Sequence, residues 1–141
     1  LPAEKKDSWE ELYHRIFLSL IEPNLSEGGP FFLCDYPIQI GCLARKKENT
    51  PWRERWELYA GGLELANCFT EEVSGEQVEA YFREEAMKLP EELRHYVDWD
   101  FPLLFGPEFP NCSGVALGFD RLLMYCLGVK DIRKVLIPTG A

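Results

Sequence analysis

Apolar residues recur at helical spacing along the N-terminal segment DSWEELYHRIFLSLIEPNL, residues 7–25. Ser8 and Glu11 fit a capping box, in which each side chain satisfies a backbone amide of the other residue. Pro23 has no amide hydrogen, so we expect the helix to end there. The spacing therefore predicts an amphipathic helix, with an apolar stripe made of Leu12, Ile16, Phe17 and Leu20.

The central third of the chain has the pattern of strands. The run FFLC at residues 31–34 predicts a buried strand, which Pro37 interrupts. The polar stretch RKKENTPWRE at residues 45–54 predicts a loop, and a mobile one. In RWELYAGGLELANCF, two alternating runs flank Gly61 and Gly62. This residue pair favours a two-residue primed turn, so the segment predicts a β-hairpin.

Two helices are predicted after the hairpin. SGEQVEAYFREEAMKL, residues 74–89, starts with Ser74 and Gln77, a second capping-box pair. PEELRHYVDWDFPLLFG starts with Pro90, which suits a first helical turn, and its aromatic residues indicate a helix at the edge of a pocket or an interface. The buried side of the first helix is predicted to contain Val78, Tyr81, Phe82 and Met87.

The C-terminal segment changes from an extended to a helical pattern. GVALG predicts a strand, Phe119 to Leu127 a helix with Gly128 as its C-terminal cap, and KVLIP at residues 134–138 a short strand. Helices and strands alternate irregularly and include a hairpin. This order predicts an α+β fold with an antiparallel sheet flanked by helices.

Composition limits the function. The 141 residues suffice for one domain, and 46% are hydrophobic. A net charge of −9 argues against autonomous nucleic-acid binding, which depends on basic residues. No apolar run is long enough to cross a membrane. The five cysteines match no zinc pattern, so we expect small buried side chains in a reducing, cytoplasmic compartment.

The hairpin carries two carboxylates that can cooperate. With Gly61-Gly62 as the turn, Glu57 and Glu64 are diagonal neighbours on one face, beside the small residues Ala66 and Cys68. Two carboxylates together with phosphate oxygens suit Mg²⁺. Glutamates on the wet face of a hairpin are the alternative, and from this feature alone the better one.

Asn67, Phe69 and Glu71 have the opposite parity on the same strand. A continuous strand places them on the other face, so a single site with both sets needs a bulge or twist near Ala66 and Asn67. A buried Glu71 would suit a ligand ammonium group. The alternative is the polar end of a strand that enters a loop.

Gly114, Ala116 and Gly118 share parity and leave one strand face nearly bare, for a flat ligand or a closely packed helix. Asp120 and Arg121 then fall in the first helical turn. An arginine there opposes the helix dipole, but it is well suited to a bidentate phosphate contact. The spacing fits neither a P-loop nor a dinucleotide fingerprint.

These motifs together resemble a known family. GVALGFDRLLMYCLGVKDIRKVLIP, residues 114–138, resembles motif 3 of class II aminoacyl-tRNA synthetases, and RWELYAGGLELANCFTEEVSGEQ resembles the preceding segment of the lysine-specific members. The likeness continues upstream through EPNLSEGGPFFLCDYPIQIGCLAR. PNCSGVALGFDRLLM is most similar to the related ligases that attach β-lysine to a lysine of elongation factor P.

The resemblance implies roles for individual residues. Arg121 would contact the γ-phosphate of ATP, Glu57 and Glu64 would ligate Mg²⁺, and Glu71 would take the ammonium of a lysine-type amino acid. Asn67 and Phe69 would line the amino-acid pocket, and Gly114, Ala116 and Gly118 would form the floor under the adenylate.

The resemblance also bears on the substrate. Lysyl-tRNA synthetases usually have glycine where this chain has Ala116, and the ligase branch has alanine. This difference favours elongation factor P over tRNA as the acceptor. A fragment of a lysyl-tRNA synthetase and a non-catalytic paralogue are the alternatives.

The resemblance does not extend to motif 1 or motif 2. We therefore expect residues 1–141 to be the C-terminal portion of a catalytic domain, inactive alone, whose full-length form can be a homodimer. Cys68 replaces the glycine usual in the family, which alters the shape of the pocket.

Overall fold

The computed structural model describes residues 6–27 and 29–136, without the side chains of Ser26 and Glu27. The elements follow in the order α1 (Trp9–Ile16), a π-helix (Phe17–Ile21), a 3₁₀ helix (Glu22–Glu27), β1 (Phe31–Pro37), β2 (Trp52–Ala60), β3 (Leu63–Thr70), α2 (Gly75–Lys88), two 3₁₀ helices (Glu91–Tyr96 and Phe101–Leu104), β4 (Ser113–Leu117), α3 (Phe119–Leu127) and a 3₁₀ turn (Ile132–Lys134).

The four strands form one antiparallel sheet with the order β1-β2-β3-β4, which confirms the predicted α+β class. Backbone contacts divide the chain into two compact units. Unit 1 consists of residues 1–35, 56–68 and 115–141, and unit 2 of residues 36–55 and 69–114. Within the described ranges, no helix is long and apolar enough to cross a membrane.

The N-terminal helix of unit 1 begins as predicted and ends early. Ser8 and Glu11 form the complete capping box. The α-helix ends at Ile16 and continues as a π-helix, so Pro23 lies in the following 3₁₀ turn. The ring of Pro23 would clash with a carbonyl of a regular α-helix, which is a physical reason for the change of helix type. Of the predicted apolar stripe only Phe17 is buried.

The hairpin and the last helix of unit 1 confirm the prediction. Gly61 and Gly62 have φ angles of 58° and 75°, the left-handed pair of a primed turn between β2 and β3. The α3 helix spans the predicted residues, and Gly128 closes it with φ 64°. The core of this unit contains Phe17, Tyr59, Ala60, Leu65, Ala66, Cys68 and Met124.

In unit 2, α2 agrees with the prediction at its start and differs at its end. The Ser74 side chain accepts a hydrogen bond from the Gln77 amide, and Val78 is fully buried. The predicted capping box is only half formed, because the Ser74 amide donates to Oε1 of Glu72 at 3.0 Å and not to Gln77. Tyr81 and Phe82 are partly buried, as a helix edge allows. The predicted burial of Met87 is wrong, because this side chain is 70% exposed.

The helix predicted from Pro90 onward is wrong, because two short 3₁₀ helices occupy its place. Asp98 accepts a hydrogen bond from the Asp100 amide, a turn that competes with helix. Pro102 disfavours the α conformation of the residue before it. The aromatic residues pack instead as a series of ring contacts through Phe82, Phe101, Phe105 and Phe109.

Three further expectations for extended and loop segments need correction. β1 ends at Pro37, as predicted, but the predicted burial of residues 31–34 is wrong, because Phe32 is 60% exposed and Cys34 is exposed. The loop predicted at residues 45–54 extends only to Pro51, because β2 begins at Trp52. An antiparallel bridge joins Lys46 to Arg53, and Arg53 also donates to the carbonyl of Ala44 at 2.8 Å. Of KVLIP, residues 134–136 are not in a strand, and Ile137 and Pro138 lie outside the described residues.

The cysteines are all free, and only Cys68 is buried. Cys34, Cys112 and Cys126 are exposed, so the predicted burial is wrong for these three. Cys112 and Cys126 lie in or beside elements with exposed apolar side chains. Apolar neighbours in sequence therefore did not indicate burial.

We predict that Gly61→Ala destabilises the protein by about 1–2 kcal/mol, because the residue has a left-handed backbone. The added Cβ would also lie 3.0 Å from Cδ2 of Tyr125. Urea unfolding of the protein expressed from its complete gene measures the loss. Gly29→Ala is the matched control, since a Cβ there meets nothing within 4 Å. Equal stability of the two variants would contradict the role of the turn.

Candidate functional site

The carboxylate of Glu57 is buried in unit 1, with only 6% of the residue exposed. The Tyr59 hydroxyl, two residues further along β2, donates a hydrogen bond to Oε2 of Glu57 at 2.9 Å. The same hydroxyl lies 3.4 Å from Oε1 of Glu22, at the start of the 3₁₀ helix. Glu57 is therefore not a surface glutamate on a wet face, and that alternative is wrong.

The Tyr59 hydroxyl remains a proton donor. Burial raises its pKa above the ordinary value, and the negative charges of Glu57, Glu22 and Glu64 raise it further. Two carboxylates, those of Glu57 and Glu22, contact this hydroxyl group. The sequence indicated Glu57 but did not indicate Glu22.

Arg121 lies in the first turn of α3, as predicted, and contacts Glu64. Its NH1 group donates to the Glu64 carbonyl at 3.1 Å and lies 3.8 Å from Oε2 of the same residue. The start of α3 is fixed to β3, because the Gly118 amide donates to the Leu65 carbonyl at 2.8 Å. These contacts bring a guanidinium and a carboxylate together at the surface of unit 1.

Two open hollows adjoin the Arg121–Glu64 pair. The first, of about 450 Å³, is lined by Glu22, Pro23, Gly62, Leu63, Glu64 and Arg121. The second, of about 470 Å³, is lined by Glu64, Leu65, Ala66, Asn67, Ala116, Leu117, Gly118, Asp120, Arg121 and Ile132. The pair thus borders both spaces and can offer a positive and a negative group to either one.

Asn67, which lines the second hollow, carries a polar atom that lacks a partner among the described residues. Asn67 Oδ1 is buried and accepts no hydrogen bond within the described part of the chain. A buried acceptor without a partner is unfavourable, and a ligand donor would relieve this. Ala116 and Gly118 line the same hollow with little side-chain volume.

β3 runs from Leu63 to Thr70, and its consecutive residues Glu64, Leu65, Ala66 and Asn67 all line the second hollow. That hollow lies where β4 ends at Leu117 and α3 begins. A bulge or twist of β3 near Ala66 and Asn67 stays a prediction.

The donor set suits Mg²⁺ only with help from a ligand. Among the described residues, no group of three or more His, Cys, Asp or Glu side chains is arranged to hold a metal ion. Mg²⁺ is bound in many proteins by one or two carboxylates with phosphate oxygens and waters. The buried carboxylate of Glu57 and the half-exposed one of Glu64 fit that mode.

In unit 2, the carboxylate of Glu71 lies against the backbone of β4. A Cβ at Gly114 would lie 3.1 Å from Oε1 of Glu71, and the Glu71 amide donates to the Cys112 carbonyl at 3.0 Å. Burial raises the pKa of Glu71. Phe69, the third predicted residue of this set, is partly buried in the same unit.

Unit 2 contains a polar network that the sequence did not predict. Arg45 donates to Oε2 of Glu54 at 3.1 Å and to Oδ1 of Asn111 at 3.0 Å. The hydrogen bond from Arg45 lowers the pKa of Glu54. The network joins the loop before β2 to the segment before β4. No pattern of neighbouring residues in the sequence predicts these contacts.

Within unit 1, five of the predicted site residues line the second hollow, namely Glu64, Asn67, Ala116, Gly118 and Arg121. Glu57 lines neither hollow and contacts Tyr59 instead. Within unit 2 the structure brings together Glu71 and Gly114. Tyr59 was missed, although its shared parity with Glu57 and its cross-strand position opposite Glu64 were available signals.

We predict that Glu71→Gln increases stability at neutral pH. The folded state binds the Glu71 proton more tightly than the unfolded state, because burial raises the pKa. As pH rises from the pKa of Glu71 in the unfolded chain through its higher pKa in the folded protein, the native protein therefore loses stability relative to the variant. Urea unfolding across acid to neutral pH measures the difference, which should vanish in acid.

Glu84→Gln, on an exposed part of α2, is the matched control for this measurement. A Glu71→Gln variant that is less stable than the native protein at neutral pH would show that the carboxylate has a stabilising partner instead.

Comparison with known proteins identifies one family and two kinds of ligase within it. The family described as tRNA synthetases class II (D, K and N) matches residues 12–138. The chain is 32% identical to the lysine–tRNA ligase of Chloroflexus aurantiacus over 97% of its length, which is 28% of that protein. It is 35% identical to the elongation factor P–(R)-beta-lysine ligase of Histophilus somni, over 95% of this chain and 42% of the relative.

A ligase homolog of the same description from Aquifex aeolicus is 35% identical over 89% of this chain and 40% of its own length. The chain spans less than half the length of these relatives. The match to the family extends over most of the described elements and includes every candidate site residue. The chain belongs to the family of class II tRNA synthetases for aspartate, lysine and asparagine.

Proposed function

We propose that the protein containing this chain activates a lysine-type amino acid with ATP and transfers it to a lysine of elongation factor P. One observation carries this proposal. The second hollow is lined by the residue Arg121, which could bind a phosphate, by Glu64, which could bind a cation, and by Asn67, whose buried Oδ1 accepts no hydrogen bond within the described part of the chain. The relatives of this chain are named as ligases of lysine or β-lysine.

The reaction would have two steps. The amino-acid carboxylate attacks the α-phosphorus of ATP, which forms the acyl-adenylate and releases pyrophosphate. The ε-amine of the acceptor lysine then attacks the adenylate carbonyl, which forms an amide and releases AMP. Neither step needs a nucleophilic side chain of this protein.

The residues of unit 1 would act by electrostatics. Arg121 would bind the γ-phosphate and offset charge on the departing pyrophosphate, which is a contribution to the transition state. Glu57 and Glu64 would hold Mg²⁺ on the phosphates. When bound, that ion would supply positive charge to the leaving oxygens. Gly118 would leave space for the nucleotide.

The amino-acid end would rest on a second group of residues. Glu71 would pair with the side-chain ammonium, and its raised pKa indicates a carboxylate that gains from such a partner. Gly114 leaves room for that carboxylate, because a side chain there would press on it. The resemblance also assigns Asn67 and Phe69 to the recognition of the amino acid.

Elongation factor P is proposed over tRNA because of Ala116. This residue lines the second hollow, so its methyl group would take up space beside the ligand. The resemblance assigns alanine to the ligase branch and glycine to lysyl-tRNA synthetases. Charging of tRNA(Lys) is the second candidate, because relatives named lysine–tRNA ligases match the chain at 32% and 33% identity.

We also propose that the chain is the C-terminal portion of a larger catalytic domain. The relatives are more than twice as long as the part that matches. A cytoplasmic location agrees with five cysteines that form no disulfide. Dimerisation would depend on the segments outside this chain.

The test uses the protein expressed from its complete gene. We expect ATP–pyrophosphate exchange that depends on lysine or β-lysine, and transfer of the amino acid to elongation factor P but not to tRNA(Lys). Transfer to tRNA alone would contradict the ligase proposal in favour of the synthetase. The absence of exchange would favour a non-catalytic paralogue.

We predict that Arg121→Ala lowers kcat/KM for the exchange reaction by about 100-fold, since it removes a preorganised positive group at the phosphates. Pyrophosphate exchange kinetics measure the loss. Arg83→Ala is the matched control, because Arg83 is exposed on α2 and pairs with Glu79. An equal effect of both substitutions would show that Arg121 acts through general charge.

A further inference from the structure

Tyr59 is held in one orientation by its surroundings. Only 2% of the residue is exposed, and its ring stacks on that of Phe31, with centroids 5.5 Å apart and planes 7° from parallel. Phe31 is the first residue of β1, so two strands fix the ring. The position of the hydroxyl is therefore set by packing and not by a free side-chain rotation.

The hydroxyl lies between two carboxylates and has one proton to donate. Glu57 Oε2 is the nearer acceptor at 2.9 Å, and Glu22 Oε1 lies at 3.4 Å. A buried carboxylate is strongly unfavourable unless polar groups bind it. The Tyr59 bond therefore both compensates the burial of Glu57 and restricts the rotation of its carboxylate.

We propose that Tyr59 is a positioning residue for the cation site, which orients the Glu57 carboxylate before Mg²⁺ and nucleotide arrive. The inference rests on the proposed function of Glu57 as a metal ligand. Groups that hydrogen-bond a metal ligand from outside the coordination shell fix its orientation, and their loss weakens metal binding by about 10–100-fold. In this role Tyr59 would act through Glu57 and would contact neither substrate nor metal.

The test compares the full-length protein with its Tyr59→Phe variant, which keeps the ring and removes the hydroxyl. The probe is Mn²⁺, whose free concentration is followed by electron paramagnetic resonance in the presence of a non-hydrolysable ATP analogue. We expect Mn²⁺ to bind about tenfold more weakly to the variant. The KM for the amino acid should not change, and the exchange rate should recover at high Mg²⁺.

A double-mutant cycle separates positioning from a general structural effect. Glu57→Gln removes the carboxylate that Tyr59 is proposed to orient, so adding Tyr59→Phe to it should cause no further loss of Mn²⁺ affinity. Tyr96→Phe is the matched control, because that tyrosine is 76% exposed and lies in unit 2. Its Mn²⁺ affinity should equal that of the native protein.

Native Mn²⁺ affinity in Tyr59→Phe would overturn the positioning role and leave the proposed function intact. Equal losses from Tyr59→Phe in the native and Glu57→Gln backgrounds would also overturn it. A native protein that neither binds Mn²⁺ with the analogue nor exchanges pyrophosphate would overturn both proposals.

Circular dichroism melting shows whether Tyr59→Phe is folded. If it is not, Phe31→Leu replaces it in the same assay, because that change keeps the hydroxyl and removes the stacked ring. A smaller loss of Mn²⁺ affinity is then expected, and an unchanged affinity would contradict the inference.

Discussion

The left-handed backbone at Gly61 and Gly62 is the constraint on which the site in unit 1 depends. A two-residue turn fixes the register of β2 against β3, and in a strand the register decides which side chains share a face. Glu57, Tyr59 and Glu64 come together for this reason. A slip of one residue would turn Glu57 and Tyr59 to the opposite face and separate them from Glu64.

The second fixed point is the start of α3. The bond from the Gly118 amide to the Leu65 carbonyl sets the first turn of the helix beside β3, and Arg121 then reaches Glu64. A rigid hairpin and an anchored helix thus present opposite charges at a defined separation. Sites built on strands and helices hold their geometry better than sites built on loops.

Several elements around the site could be predicted from short stretches of the sequence. The hairpin, α3 and the capping box of α1 each depend on a few neighbouring residues, such as Gly61, Gly62 and Gly128. The helix predicted from Pro90 onward was wrong, because Asp98 and Pro102 compete with helix formation. The Tyr59–Glu57–Glu22 arrangement could not be predicted in full, because Glu22 comes from a turn 37 residues away in sequence.

The contact between Arg121 and Glu64 has a consequence for the order of binding. Nη1 of Arg121 lies 3.8 Å from Oε2 of Glu64, so each group feels the charge of the other. Under the proposed function, a nucleotide phosphate alone would engage Arg121 and leave Glu64 facing another anion, and a cation alone would meet a carboxylate already paired. Metal and nucleotide would then each raise the affinity of the protein for the other by the same factor, which is a thermodynamic linkage.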